Sequence, residues 1–141
     1  VPLRYLLDTN TLSEPMLPRP DHAVIARLDA TAGTHATSTL TWHELRFGVA
    51  RLPASRRRAA LEQAIAALGT ALPILAFDRE AADWLASEGA RLERSGRTAP
   101  MTDAMIAAIA VTRGLTLVTR NVRDFRSFRG LAVESWHAEQ R

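Results

Sequence analysis

The chain contains no cysteine, no lysine and only one tyrosine. Without cysteine there is no disulfide framework, no thiolate metal centre and no cysteine nucleophile; the absence fits the cytoplasm, the expected compartment, without requiring it. Long apolar runs are also missing. The longest, Ala64 to Phe77, is interrupted by Gly69, Thr70 and Pro73, short of the ~20 residues of a membrane span. No signal peptide or anchor is read, so no membrane association is expected. P-loop, G-x-G-x-x-G and G-x-S-x-G patterns are absent too, which argues against nucleotide-cradling turns and a serine-hydrolase elbow. What is present is ordinary: 141 residues, 47% hydrophobic and 23% charged, without repeats, linkers or low-complexity tracts. That composition predicts one globular domain over residues 1–141. Every basic side chain is arginine, and the sequence pI is about 10.8 although the formal charge is only +3. An alanine- and arginine-rich composition explains the missing lysine, yet arginine is also the side chain whose planar fork grips phosphate.

Strand-like and helix-like segments alternate. Tyr5 to Leu7 reads as a short buried strand, His35 to Ser38 as a second, Leu72 to Phe77 as an edge strand, Leu115 to Thr119 as a buried strand and Leu131 to Glu134 as a last one. Between them helices are predicted over 22–30 behind Asp21, over 41–52 up to Pro53, over 57–68 up to Gly69, from Asp78 to about Arg94, and over 103–112. The last is so apolar that it must pack on several sides. This alternation predicts an α/β fold with a mainly parallel sheet.

In parallel sheets ligands bind beyond the carboxyl ends of the strands. Asp8 stands at such an end, as do Thr119, Arg120 and Asn121, while Glu44 and Asp103 open helices at the same rim. Each has a structural use as well. Asp8 with Thr9 and Asn10 suits an Asx turn, Asn121 suits a turn, Thr41 with Glu44 spells a capping box, and Thr102 with Asp103 suits a helix start. Their convergence points further, because carboxylates gathered on one rim repel one another and are tolerated mainly around cations. Oxygen ligands without histidine or cysteine suit magnesium or manganese. His22, His35, His43 and His137 show no paired metal spacing.

Four segments then stand out: "LLDTN" followed by Ser13, Glu44 within "TWHELRFGV", Asp103 within "TDAMIAAIA", and "LVTRNVRDF". In order and spacing they resemble the four signature blocks of PIN-domain nucleases, in particular the VapC-like toxin ribonucleases of bacterial toxin-antitoxin pairs, including the FitB-like branch. The resemblance implies an α/β/α sandwich with a five-stranded, mainly parallel sheet and an acidic pocket for Mg2+ or Mn2+. Asp8, Asp103 and Glu44 match the family's acidic positions, and Thr119 a position whose hydroxyl orients the site. The fourth acidic position departs from the pattern: Asn121 follows Thr-Arg, and Asp124 comes three residues later. Asp124 is expected to approach the metal, with Asn10 and Asn121 lining the pocket and Asn121 hydrogen-bonding a carboxylate or water; the alternative use of Asp124 is as a helix cap.

The implied activity is hydrolysis of RNA phosphodiesters by metal-activated water, leaving 5′-phosphate and 3′-hydroxyl ends. The implied partners are an RNA substrate, a DNA-binding antitoxin and a second copy of the chain. Trp42, Leu45, Val49 and Trp84 are candidates for burial against the antitoxin, and Arg120, Arg123 and Arg126, with Arg129, for contact with the RNA backbone. Alternatives are a housekeeping RNA-processing nuclease and a non-catalytic protein-binding PIN fold. A phosphatase is disfavoured because the second aspartate expected two residues after Asp8 is Asn10.

Overall fold

The structure, a computed structural model, describes residues 2–138. Five short strands, β1 (Tyr5–Leu7), β2 (His35–Ser38), β3 (Ile74–Leu75), β4 (Thr116–Val118) and β5 (Val133–Glu134), form one sheet in the order β3-β2-β1-β4-β5. All four pairings are parallel, so the sheet is entirely rather than mainly parallel. Strand β1, buried at all three positions, takes the centre, with Leu6 and Leu7 on opposite faces. A strand covered on both sides reads as a continuous apolar run.

Helices α1 (Thr9–Ser13), α2 (His22–Ala30), α3 (Thr39–Ala50), α4 (Arg56–Ala71), α5 (Arg79–Arg94) and α6 (Met101–Thr112) connect the strands, with 3-10 turns at Glu14–Met16 and Val122–Phe125. They divide the core in two. One face packs Leu6 and Leu117 against α5, α6, Phe125 and Phe128; the other packs Leu7 and Val118 against Leu12, Val24, Leu45, Ile65 and Trp136. Helix α6 is buried along Ile106 to Ala110 because its alanines let sheet and α5 approach from different sides. No helix among the described residues is long and apolar enough to cross a membrane.

Several boundaries differ from the sequence reading. The short α1 was not anticipated. Helix α3 starts two residues earlier than expected, because Ser38 caps it through a 3.0 Å bond from the Thr41 N–H. Helix α4 does not stop at Gly69 but continues to Ala71. Gly69 is there for closeness: a Cβ built on it would lie 2.8 Å from Cη2 of Trp42. The edge strand shrinks to Ile74–Leu75, since Pro73 offers no N–H to the ladder, although its carbonyl accepts from Thr37 at 3.0 Å. Arg56 to Arg58 form the first turn of α4, capped by Ser55.

Candidate active site at the carboxyl rim of the sheet

Strands β1 and β4 are adjacent and parallel, with Leu7 opposite Val118, so the residues that follow them emerge side by side. Asp8 is held at both carboxylate oxygens. Oδ1 accepts the Thr9 N–H at 2.8 Å, making Asp8 the cap of α1, and Oδ2 accepts the Thr119 hydroxyl at 2.9 Å. Thr119 is fully buried, and its Oγ1 also accepts the Asn121 N–H at 3.1 Å. The capping use of Asp8 and its place in the site are therefore the same geometry: one oxygen anchors the helix while the other faces the neighbouring strand's exit.

Glu44 lies in α3, and its Oε2 accepts the Thr9 hydroxyl at 2.7 Å. The capping box expected with Thr41 does not form, because Ser38 already holds the cap and Thr41 is buried against it. Thr9, which the sequence offers only as part of an Asx turn, is thus the link between the Asp8 segment and Glu44. Asp103 sits in the first turn of α6, where Pro100 holds the cap position without a side-chain bond, so neither Thr102 nor Asp103 caps the helix.

Electrostatics tie the rim together. The Asp103 carboxyl is raised above its ordinary range, first by burial and then by the negative charges of Asp8, Asp124 and Glu44. Asp103 on α6 is thus within electrostatic reach of carboxylates from three other segments. Asp124 lies inside the Val122–Phe125 turn and does not cap it; the cap position is Asn121, without a side-chain bond. Asn121 meets the site through its backbone N–H, while its side chain is exposed and bonds no carboxylate among the described residues. Asn10 is exposed in the first turn of α1. The segment after the 3-10 turn is steadied from α5: buried Glu88 binds the Arg91 guanidinium at 2.7 and 2.8 Å and accepts the Arg129 N–H, and Arg91 donates to the Ser127 carbonyl at 2.9 Å.

The donor set is all oxygen, negatively charged and mutually repelling, which fits a hard divalent cation in chemistry. Among the described residues no three acidic or histidine side chains are already gathered around a common point; Glu44 and Asp124 are exposed.

The arginines divide. Arg123, Arg126 and Arg129 are exposed on and after the 3-10 turn, whereas Arg120 turns into a separate cleft with Arg19 and His22. Beside Thr9 and Glu44 an apolar groove of about 1020 Å³ opens between α1, α3 and α4, lined by Leu12, Leu45, Val49, Leu61 and Leu68 among others. Leu45 and Val49 thus belong to one surface. Trp42 and Trp84 do not line it: Trp42 covers Gly69, and Trp84 packs into the core on the α5–α6 face. His43 is exposed and stacks on Phe47 with ring centroids 6.0 Å apart.

A strand-end aspartate, a threonine on the neighbouring strand and further carboxylates from α3, α6 and the turn after β4 define a class. The PIN domain family model matches residues 5–131, and the chain belongs to that family. Among its relatives, the VapC ribonuclease Y4jK of Sinorhizobium fredii is 38% identical over 128 residues, 86% of this chain and 90% of that protein. The toxin FitB of Neisseria gonorrhoeae is 35% identical, covering 94% of this chain and 98% of its own. In the solved structure of DNA-bound VapBC from Salmonella typhimurium, the matching chain is 29% identical with a TM-score of 0.83, over 95% of this chain and 98% of that one.

Proposed function

We propose that the chain is a divalent-metal-dependent endoribonuclease and the toxin of a toxin-antitoxin pair. The observation that carries this reading is Asp8 at the exit of β1, held by the Thr119 hydroxyl from the exit of the neighbouring β4, in a PIN domain. The ribonuclease name of the Sinorhizobium relative and the toxin name of the Neisseria relative support it.

Asp8, Asp103, Glu44 and Asp124 would hold Mg2+ or Mn2+, which when bound supplies Lewis-acid activation of the phosphate and a more acidic water. The chain's own residues do the rest. Thr119 fixes the orientation of Asp8, and Thr9 restrains Glu44, so the two carboxylates present fixed faces to the substrate. No nucleophilic side chain is required: water forms the new bond to phosphorus, the bond from phosphorus to the 3′-oxygen breaks, and that oxygen takes up a proton. The products carry 5′-phosphate and 3′-hydroxyl ends.

The apolar groove is the seat we assign to the antitoxin, since it ends at Thr9 and Glu44 and a segment lying in it would reach the site. Pairing with a second copy is part of the same reading; Phe47 and Met101, 55% and 67% exposed, are apolar side chains such an interface would cover.

The test is incubation of the purified chain, freed of any partner, with total RNA in Mg2+, in Mn2+ and in chelator. Cleavage is expected only with metal, and Asp8→Asn and Asp103→Asn should abolish it while both proteins remain folded. Equal cleavage in chelator, or active substituted proteins, would defeat the reading.

A further inference from the structure

A second cleft, of about 540 Å³, lies beyond the carboxyl end of β4, on the α2 side of the sheet, between the segment leading into α2, the start of that helix and the C-terminal segment. Its positively charged lining is Arg19 and Arg120, with His22 beside them. It also holds Glu14 and Asp21, but both carboxylates are engaged internally. Glu14 is buried, with Oε1 3.0 Å from Nε2 of the equally buried His137 and Oε2 accepting the Asp21 N–H at 2.8 Å. Asp21 accepts the Ala23 N–H at 2.9 Å and the Ala138 N–H at 3.0 Å. These acids fasten the walls together instead of pairing with the arginines. Among the described residues neither Arg19 nor Arg120 joins a salt bridge.

Two features make the cleft more than a basic surface. Arg19 stands between Pro18 and Pro20, whose rings restrict the backbone that carries it. Arg120 directly follows Thr119, the residue that holds Asp8, so the cleft begins one residue from the reacting centre. A polyanion passing that centre meets an arginine at its next step.

We propose that this cleft is a second RNA subsite, in which Arg19 and Arg120 bind backbone phosphates flanking the bond to be cut and His22 contacts the adjoining nucleotide. The proposal rests on the ribonuclease reading above and adds where the strand lies: across Asp8 and Thr119 and down into the α2 side. Phosphate contacts of this kind position a strand without reading its sequence, so the subsite contributes affinity and register, not base choice.

The experiment uses the full chain, freed of partner, and a fluorescent mixed-sequence 2′-O-methyl oligoribonucleotide in chelator, so that binding is read without cleavage. Affinity is measured by anisotropy across a salt series for the wild type, for Arg19→Ala/Arg120→Ala, and for the control Arg4→Ala/Arg113→Ala. The control arginines precede β1 and β4 at the end of the sheet opposite Asp8 and Thr119. Each lost single-strand phosphate contact lowers the slope of log affinity against log salt by about 0.7, so the cleft variant should lose about 1.4 and the control much less. A cleft variant whose slope and affinity match the control overturns the subsite. So does one that keeps RNA affinity but no longer captures a co-expressed partner protein, which would make the cleft a protein seat. In parallel, wild-type protein is assayed for cleavage with metal: a chain that cuts RNA while the cleft variant binds normally brings down the subsite alone, whereas a chain that neither binds nor cuts RNA brings down the ribonuclease reading with it.

Discussion

The hydroxyl of Thr119 donates to Oδ2 of Asp8 at 2.9 Å, joining residues 111 apart in the chain at the exits of two neighbouring parallel strands. It is the shortest route by which the sheet itself orients the candidate catalytic carboxylate. Thr119→Val keeps the shape of a fully buried side chain and removes the hydroxyl. Asp8 loses a donor and the Asn121 N–H loses its acceptor. We expect a stability loss of about 1–3 kcal/mol and a fall in kcat larger than any change in KM, read by chemical denaturation and steady-state RNA cleavage. A variant as active as the wild type would show that Asp8 needs no orientation from β4.

Asp103 should reveal itself through pH. Its carboxyl is raised in the folded protein, first by burial and then by Asp8, Asp124 and Glu44. The unfolded chain therefore releases this proton at lower pH than the folded one, and rising pH between the two titrations favours unfolding. The penalty is absent in acid below the unfolded titration and complete above the folded one. Asp103→Asn should accordingly unfold at higher temperature than the wild type at about pH 7, with the gap closing as the pH falls through the carboxylate range. Glu88 works in the opposite sense, since the Arg91 hydrogen bonds lower its carboxyl. A thermal scan showing Asp103→Asn less stable at neutral pH would remove the electrostatic argument for the site.

Gly69 separates two effects of glycine. An alanine in an exposed helix interior usually gains about 1 kcal/mol over glycine, and Gly89 in α5, with nothing within 4 Å of a built Cβ, should follow that rule. Gly69→Ala should not, because its Cβ would meet the Trp42 ring at 2.8 Å. Opposite signs are expected in thermal unfolding, with Trp42→Phe restoring part of the loss. Equal gains at both glycines would mean that the Trp42 ring moves freely.

The departure from the family pattern at Asn121 and Asp124 yields a measurement on metal affinity. Asp124 carries charge to the rim and caps nothing, whereas Asn121 contributes its backbone N–H. Calorimetric titration should find Mg2+ or Mn2+ binding clearly weakened in Asp124→Asn, as each anionic ligand strengthens a hard-cation site, and changed less, or tightened, in Asn121→Asp. Intact metal affinity and cleavage in Asp124→Asn would leave the site to three acidic residues.

The sequence by itself determined the five strands, the five longer helices between them and the parallel sheet. Those signals are local: the apolar triplet before Asp8, the caps at Asp21 and Asp78 and the apolar run of α6 are each written within a few neighbouring residues. Tertiary structure decided what each polar group does. Whether Glu44 closes a capping box or meets Thr9 depends on Ser38 having taken the cap first, and whether Gly69 ends a helix or passes beneath a tryptophan depends on α3 lying across α4. The same holds for the cleft, where Glu14 meets His137 and Asp21 accepts the Ala138 N–H only because the start of α2 and the C-terminal segment come together. Hydrogen bonds and contacts between distant segments follow from packing, and no spacing along the chain encodes which of several nearby donors arrives.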